Sequence, residues 1–204
     1  MDQIVNTPKT KRGQATLDKI CQAAETLFYE KGYNNTSIVD ITMHAGIGLG
    51  TFYIYFKDKY LLYKYLLLRY SHDIRKAIKD ATNGIETRRE IERIGLKTYL
   101  EYTRDNKQAY NIIWESLYID KELFREYYDK FSSRYQRGIL VGQENDEIRN
   151  LDPEVISYML MGISNFIGLK YVMFEETKDL DLVVDQIINI LEYGLLKTSD
   201  KVKQ

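Results

Sequence analysis

The sequence predicts an all-α protein of about nine helices: a small N-terminal three-helix head containing a helix-turn-helix, followed by a larger helical body. Three observations carry this. Apolar residues recur at helical spacing along the chain, and no strand pattern, internal repeat or low-complexity block interrupts them. Only two prolines occur in 204 residues, which leaves room for long uninterrupted helices. Between Thr36 and Lys59, two short amphipathic patterns stand on either side of a glycine.

Residues 1–13 read as a flexible basic arm, with Pro8 and Gly13 as breakers and Lys9, Lys11 and Arg12 as charges. A first helix is expected from Gln14 to Lys31, with Leu17, Ile20, Cys21, Ala24, Leu27 and Phe28 as its apolar stripe and Gly32 as its stop. Thr36 or Ser37 supplies the hydroxyl that starts the second helix, Ile38, Ile41 and Ala45 line one face, and Gly46 ends it. After Ile47 a third helix follows, whose apolar pair Phe52 and Phe56 is spaced i, i+4.

A fourth helix is expected to begin at Lys57 and run toward Asp80. Its first half, Tyr60 to Leu68, is apolar on nearly all sides, which predicts burial between head and body. The body, residues 60–204 beyond a head at 14–59, reads as that helix and five more. They span Thr87 to Asn106, Lys107 to Ile119, Asp120 to Val141, a helix opened by Asp152-Pro153-Glu154 and reaching Glu176, and Leu180 to Lys197. Asn83-Gly84 and the polar stretch Gly142 to Leu151 separate them, and the tail frays from Thr198.

Charge is distributed unevenly. Residues 1–80 carry 12 Lys/Arg against 8 Asp/Glu, a net +4, while the remainder carries 17 against 22, a net −5, giving the chain's −1. A basic end on an acidic body is the asymmetry that steers one end toward a polyanion. The single cysteine, Cys21, excludes an intrachain disulfide and reads as a small core residue. The polar start MDQIVNTPKTKR is unlike a signal peptide, and the most apolar window, Tyr158 to Leu169, is too short to span a bilayer. These features predict a cytoplasmic protein with no membrane partner.

The stretch AGIGLGTFYIYFKDK, residues 45–59, makes the helix-turn-helix specific. With Ala45-Gly46 at the turn, Gly50-Thr51, Tyr53, Tyr55-Phe56 and Lys57-Asp58-Lys59, it resembles the recognition-helix signature of the tetracycline-repressor (TetR) family of bacterial transcription factors. Gly32-Tyr33 and Thr36-Ser37 match the pattern upstream, so the resemblance covers about the first quarter of the chain. It implies a recognition helix that enters the major groove of operator DNA. The expected DNA-contacting set is Thr36, Ser37, Gly48, Leu49, Gly50, Thr51, Tyr53, Tyr55 and Lys59. Phe52 and Phe56 would hold the helix on the core, leaving Leu49, Thr51 and Tyr53 outward, while Tyr55 and Lys59 suit phosphates. The chain departs from the pattern at Gly48, where relatives often place Ser or Thr, and at Leu49, where a polar base reader is common. The recognition helix holds no Arg, Asn or Gln, so bidentate readout of G or A is unavailable from it. Thymine methyl groups, tyrosine hydroxyls and DNA shape are expected to carry the specificity instead.

The last two body helices are apolar almost all round, and Gly162 and Gly168 permit close approach. The resemblance implies a homodimer packed through them, with Met159, Gly162, Phe166, Ile187 and Leu191 as interface candidates. It also implies a ligand cavity in the body. Tyr99, Tyr102, Trp114, Tyr118, Tyr127 and Tyr135 are the candidate lining, large apolar surfaces with a few polar tips. A small hydrophobic or cationic effector would suit them, and Glu115 beside Trp114 reads either as a cation partner or as a solvated helix charge. A ligand-responsive repressor is therefore expected, with the fourth helix as the lever between body and head. A co-repressor-dependent regulator or an activator of the same fold is the alternative. The chain's two histidines, His44 and His72, have no metal-ligand spacing around them, and no nucleophile motif or phosphate loop occurs. No enzyme activity, cofactor or metal is expected, and a helical protein-interaction module without a DNA role is the remaining reading.

Overall fold

The computed structural model describes residues 4–175 and 179–196. Among these residues the chain forms nine α-helices: α1 (Lys11–Lys31), α2 (Ile38–Ala45), α3 (Leu49–Tyr55), α4 (Lys59–Ala81), α5 (Arg88–Asp105), α6 (Lys107–Ile119), α7 (Lys121–Glu144), α8 (Pro153–Gly168) and α9 (Leu180–Tyr193). A six-residue π-helical turn, Leu169–Phe174, extends α8. The all-α expectation and the order of elements hold. The expected helix ends at Glu176 and Lys197, and the tail from Thr198, lie outside the described residues.

Local chemistry explains the boundaries. Helix α1 starts three residues before Gln14 because Thr10 caps it, its hydroxyl accepting the amide of Gly13 at 3.0 Å. Gly32 stops it at φ 78°, a left-handed position that a Cβ would strain. Helix α2 opens with a capping box: the Ser37 hydroxyl accepts the Asp40 amide, and the Asp40 carboxylate accepts the Ser37 amide. The Ser37 hydroxyl, which also donates to the Asp40 carboxylate, and then the Ser37 amide hold the Asp40 carboxyl below its usual range. Gly46 closes α2 in the left-handed region, and Asp152 opens α8 by accepting the amides of Glu154 and Val155.

Two compact units form. Among the described residues the first comprises 4–73 and 106–131, and the second 74–105, 132–175 and 179–196, the division falling within α4 and within α7. In the first unit α1 packs against α2 and α6, and α2 against α3. Ile20, Ala24 and Phe28 of α1, Ile41 of α2, Phe52 of α3 and Leu62, Tyr63, Leu66 and Leu67 of α4 are fully buried there. Cys21 is buried with them, and that burial pushes its thiol up to about 11, which makes it an inert core residue at neutral pH.

In the second unit α5 packs against α8, α9 and the π-helical turn. Ile139, Ile156 and Leu160 form a core cluster, with Tyr135, Ile148, Ile163 and Leu191 against it. A ladder of ion pairs joins α5 to α9: Arg89 to Glu192, Arg93 to Asp181 and Asp185, and Lys97 to Asp181. The stretch Pro153–Phe174, 22 residues, is long and apolar enough to cross a bilayer, longer than the Tyr158–Leu169 window suggests. Its apolar character divides between two faces. Ile156, Leu160 and Met161 are buried within the unit, and Val155, Met159 and Phe166 lie outward.

Candidate nucleic-acid interface

The recognition helix α3 is only seven residues long, below the length at which an isolated helix is stable in water, so its surroundings must hold it. Phe52 and Phe56, 0% and 1% exposed, meet as a tilted pair at 5.9 Å between ring centroids and anchor one face in the core. The opposite face carries Leu49, Gly50, Tyr53 and Ile54, at spacings i, i+1, i+4 and i+5, and all four are exposed. A side chain added at Gly50 would meet open space, so backbone there is accessible to a large partner. Thr51 is half-buried beside them. Gly48 caps the helix by backbone geometry alone, with no side-chain hydrogen bond, while its carbonyl accepts the Thr51 amide at 2.9 Å.

The remaining expected DNA contacts are differently placed. Ser37 is exposed but spends its hydroxyl within the capping box. Thr36 is buried, and its hydroxyl reaches the carbonyls of Gly32 at 2.9 Å and Leu27 at 3.3 Å. Tyr55 is buried, and its hydroxyl donates to the Gly13 carbonyl at 3.1 Å. The Lys59 ammonium donates to the carbonyls of Tyr33, at 2.6 Å, and Thr36, at 2.7 Å, and lies 4.1 Å from the centre of the Tyr33 ring. Burial lowers its pKa, partly offset by the Glu115 carboxylate. Thr36, Tyr55 and Lys59 thus fasten the turn between α1 and α2 and the end of α3. Leu49, Gly50 and Tyr53 are brought together on the outward face.

Two residues outside the expected set belong to this region. Ile54, 59% exposed, extends the apolar strip of α3, and its spacing from Leu49 was the signal available in the sequence. Asn6 ties the arm to α3: its amide donates to the Tyr55 carbonyl at 2.9 Å and its side-chain amide to the Ile54 carbonyl at 3.0 Å. No local pattern marks a contact 48 residues away.

The expected ligand-lining residues divide between the two units. In the second, the Tyr99 hydroxyl donates to Asn165 at 2.9 Å, Tyr102 is half-buried, and the Tyr135 hydroxyl donates to Glu92 beneath the Arg88 guanidinium. Burial and the Glu92 carboxylate push the Tyr135 phenol well above its ordinary pKa. In the first unit, Trp114 pairs with Tyr110, Tyr127 is buried against Tyr128, and Tyr118 is 86% exposed. Tyr118 therefore points to solvent. Glu115 is half-buried rather than a solvated charge, and its Oε1 accepts the amide of Tyr33 at 2.7 Å.

The dimer candidates divide too. Met159, Gly162 and Phe166 lie on the outward face of α8, at 49% exposure for Met159 and 64% for Phe166. Ile187 is buried within its own unit and Leu191 packs on the Ile139 cluster, so a helix apolar all round is here two-faced.

Comparison with known proteins places this arrangement. Residues 20–66 match the family model described as bacterial regulatory proteins, tetR family. The HTH-type transcriptional regulator YttP of Bacillus subtilis (strain 168) is 28% identical over 114 residues, 55% of each chain. An HTH-type transcriptional regulator of Staphylococcus aureus (strain USA300) is 30% identical over 132 residues, 60% of this chain and 71% of that one. The chain thus spans little more than half the length of YttP. Among solved structures, a protein described as a TetR-family transcriptional regulator from Syntrophomonas wolfei has a TM-score of 0.79 at 25% identity, covering 91% of this chain and 99% of its own. The fold is shared with FadR of Bacillus subtilis, solved in complex with stearoyl-CoA, at a TM-score of 0.74 and 19% identity, over 88% of this chain and 99% of that one. The chain belongs to the TetR family of bacterial transcriptional regulators.

Proposed function

We propose that the chain is a ligand-responsive repressor that binds near-palindromic operator DNA as a homodimer. The observation that carries the DNA reading is the outward face of α3. Leu49, Gly50, Tyr53 and Ile54 stand exposed on a helix whose opposite face is locked in the core by Phe52 and Phe56. A strip with no charged or amide side chain fits thymine methyls and groove shape, while backbone phosphates are met by the exposed cations around it, Lys57 among them. In this reading residues 14–59 are the DNA-binding head and residues 60–204 the sensing and dimerising body.

Homodimerisation is supported by the outward face of α8, where Val155, Met159 and Phe166 are exposed at spacings of four and seven residues around the open Gly162. Two heads would then read two half-sites. For the effector, the fold likeness to a FadR solved with stearoyl-CoA supports a long-chain acyl thioester as the first class to test, and the aromatic side chains of the body fit its apolar tail. An effector that weakens DNA binding must itself bind less well to the DNA-bound form. The protein would act in the cytoplasm, without enzymatic activity.

The test is selection of operator sequences from a random duplex pool, followed by titration of acyl-CoA chains of increasing length into the complex. Recovery of an inverted repeat released by acyl-CoA supports the whole reading. An inverted repeat that acyl-CoA tightens would make the ligand a co-repressor. A single unpaired half-site would overturn the dimer.

A further inference from the structure

Tyr55 holds both ends of one short segment. Its carbonyl accepts the Asn6 amide at 2.9 Å, and its hydroxyl donates to the Gly13 carbonyl at 3.1 Å. The side chain of Asn6 adds a bond from its amide nitrogen to the neighbouring Ile54 carbonyl, at 3.0 Å. Pro8 folds over the start of α1 so closely that a Cβ at Gly13 would stand 2.8 Å from the Pro8 Cβ. Within the segment expected as a flexible arm, residues 6–13 are therefore tied at both ends to the last residues of α3.

Two consequences follow from elementary chemistry. The final carbonyls of any helix lack partners within it, and in a seven-residue helix with no side-chain cap at Gly48 each such tie matters more. Asn suits position 6 because its backbone and side-chain N–H groups reach adjacent carbonyls; Asp, with the same shape, has no side-chain donor. The stretch also carries Lys9 before the cap and Lys11 and Arg12 in the first turn of α1, all three exposed. Because Tyr55 holds residues 6 and 13, the backbone that bears these three cations is tied to the C-terminal end of α3, where a helix in the major groove would meet the flanking phosphates.

We infer that the stretch Asn6–Gly13, the arm together with the first turn of α1, is part of the DNA-reading surface, with Asn6 and Tyr55 as positioning residues that hold Lys9, Lys11 and Arg12 against the phosphates flanking the recognition helix. The inference rests on the DNA-binding reading above. It differs from a trailing basic arm in one measurable way: the number of phosphates neutralised depends on the staple as well as on the cations.

The experiment measures the salt dependence of operator binding for the intact chain and three variants. The first is Lys9→Gln/Lys11→Gln/Arg12→Gln, the second Asn6→Leu/Tyr55→Phe, and the third the conservative Asn6→Gln, which keeps both donors. Each phosphate contact contributes roughly 0.9 to the slope of log affinity against log salt. The triple variant should lower the slope by about 2 to 3, and the staple variant by at least about 1, with roughly tenfold weaker binding at physiological salt. Asn6→Gln should recover most of the slope. Asn6 is exposed, so its loss leaves the core intact, and amide exchange across Phe52 to Phe56 reports α3 directly. A staple variant that keeps the full slope while the triple variant loses it would overturn the positioning role. A triple variant with an unchanged slope would remove the stretch from the DNA surface altogether. Salt-independent, weak binding by the unaltered chain would instead overturn the DNA-binding reading, and this inference with it.

Discussion

Glu115 on α6 accepts a hydrogen bond from the backbone amide of Tyr33 at 2.7 Å, so a carboxylate from the middle of the chain holds the turn between α1 and α2. Lys59 completes the knot by donating to the Tyr33 and Thr36 carbonyls. Burial raises the Glu115 pKa, an effect only partly offset by the Tyr33 amide and the Lys59 charge, and burial lowers the Lys59 pKa. A carboxyl whose folded pKa is raised binds its proton more readily folded than unfolded, so its contribution to stability is complete below the unfolded value and is lost as pH rises through the folded one. Glu115→Gln, which keeps the acceptor, should flatten the loss of melting temperature just above the ordinary carboxylate range. Glu115→Ala, which leaves the Tyr33 amide unpaired, should cost about 1–2 kcal/mol at neutral pH. Thermal melts across a pH series check both.

The packing under the recognition helix makes a second prediction. Phe52 is fully buried and spaced i, i+4 from Phe56, also buried. Phe52→Ala should cost about 3–5 kcal/mol in denaturant unfolding, with loss of operator binding. Tyr53→Ala, on the exposed side of the same helix, should leave unfolding nearly unchanged and weaken only DNA binding.

The apolar strip of Leu49, Tyr53 and Ile54 sets an expectation about the operator itself. Replacing thymine by deoxyuridine removes a methyl and leaves base pairing intact. Each methyl buried against the strip should then account for roughly three- to fourfold in affinity, from about 0.8 kcal/mol per buried carbon. Equal binding to both duplexes would assign the specificity to groove shape instead.

The outward face of α8 predicts the assembly. Phe166→Glu places a charge at a residue that is 64% exposed on the outward face of α8, so the monomer fold should persist. Sedimentation should show a dimer for the unaltered chain and a monomer for the variant, with operator affinity falling because two half-sites are no longer linked.

What the sequence made legible was local. Caps, breakers and helical spacing placed the elements to within a few residues, because Gly32, Ser37, Gly46 and Asp152 act on their immediate neighbours. The face of α3 was readable for the same reason: Phe52 and Phe56 define one side and leave Leu49 and Tyr53 on the other. Long-range ties left no such trace. Nothing in the spacing around Lys59, Tyr55 or Asn6 says that their side-chain donors find carbonyls 23 to 48 residues away, and Tyr55 and Lys59, expected at phosphates, are engaged within the protein. The apolar surface of α8 and α9 was visible as composition, but which half faces inward depends on the Ile139 cluster, a contact between distant segments.

The central claim is that the exposed face of α3 reads DNA, and the direct measurement compares the unaltered chain with Leu49→Ala/Tyr53→Ala on duplexes from just upstream of its own gene, across a salt series. Lys59 stays unaltered, since its ammonium holds the turn together. Tight binding should weaken as salt rises, and the variant should keep its melting temperature while losing most of its preference for that DNA over an unrelated duplex. Equal preference in the variant and the unaltered chain, with both folded, would contradict a DNA-reading role for that face.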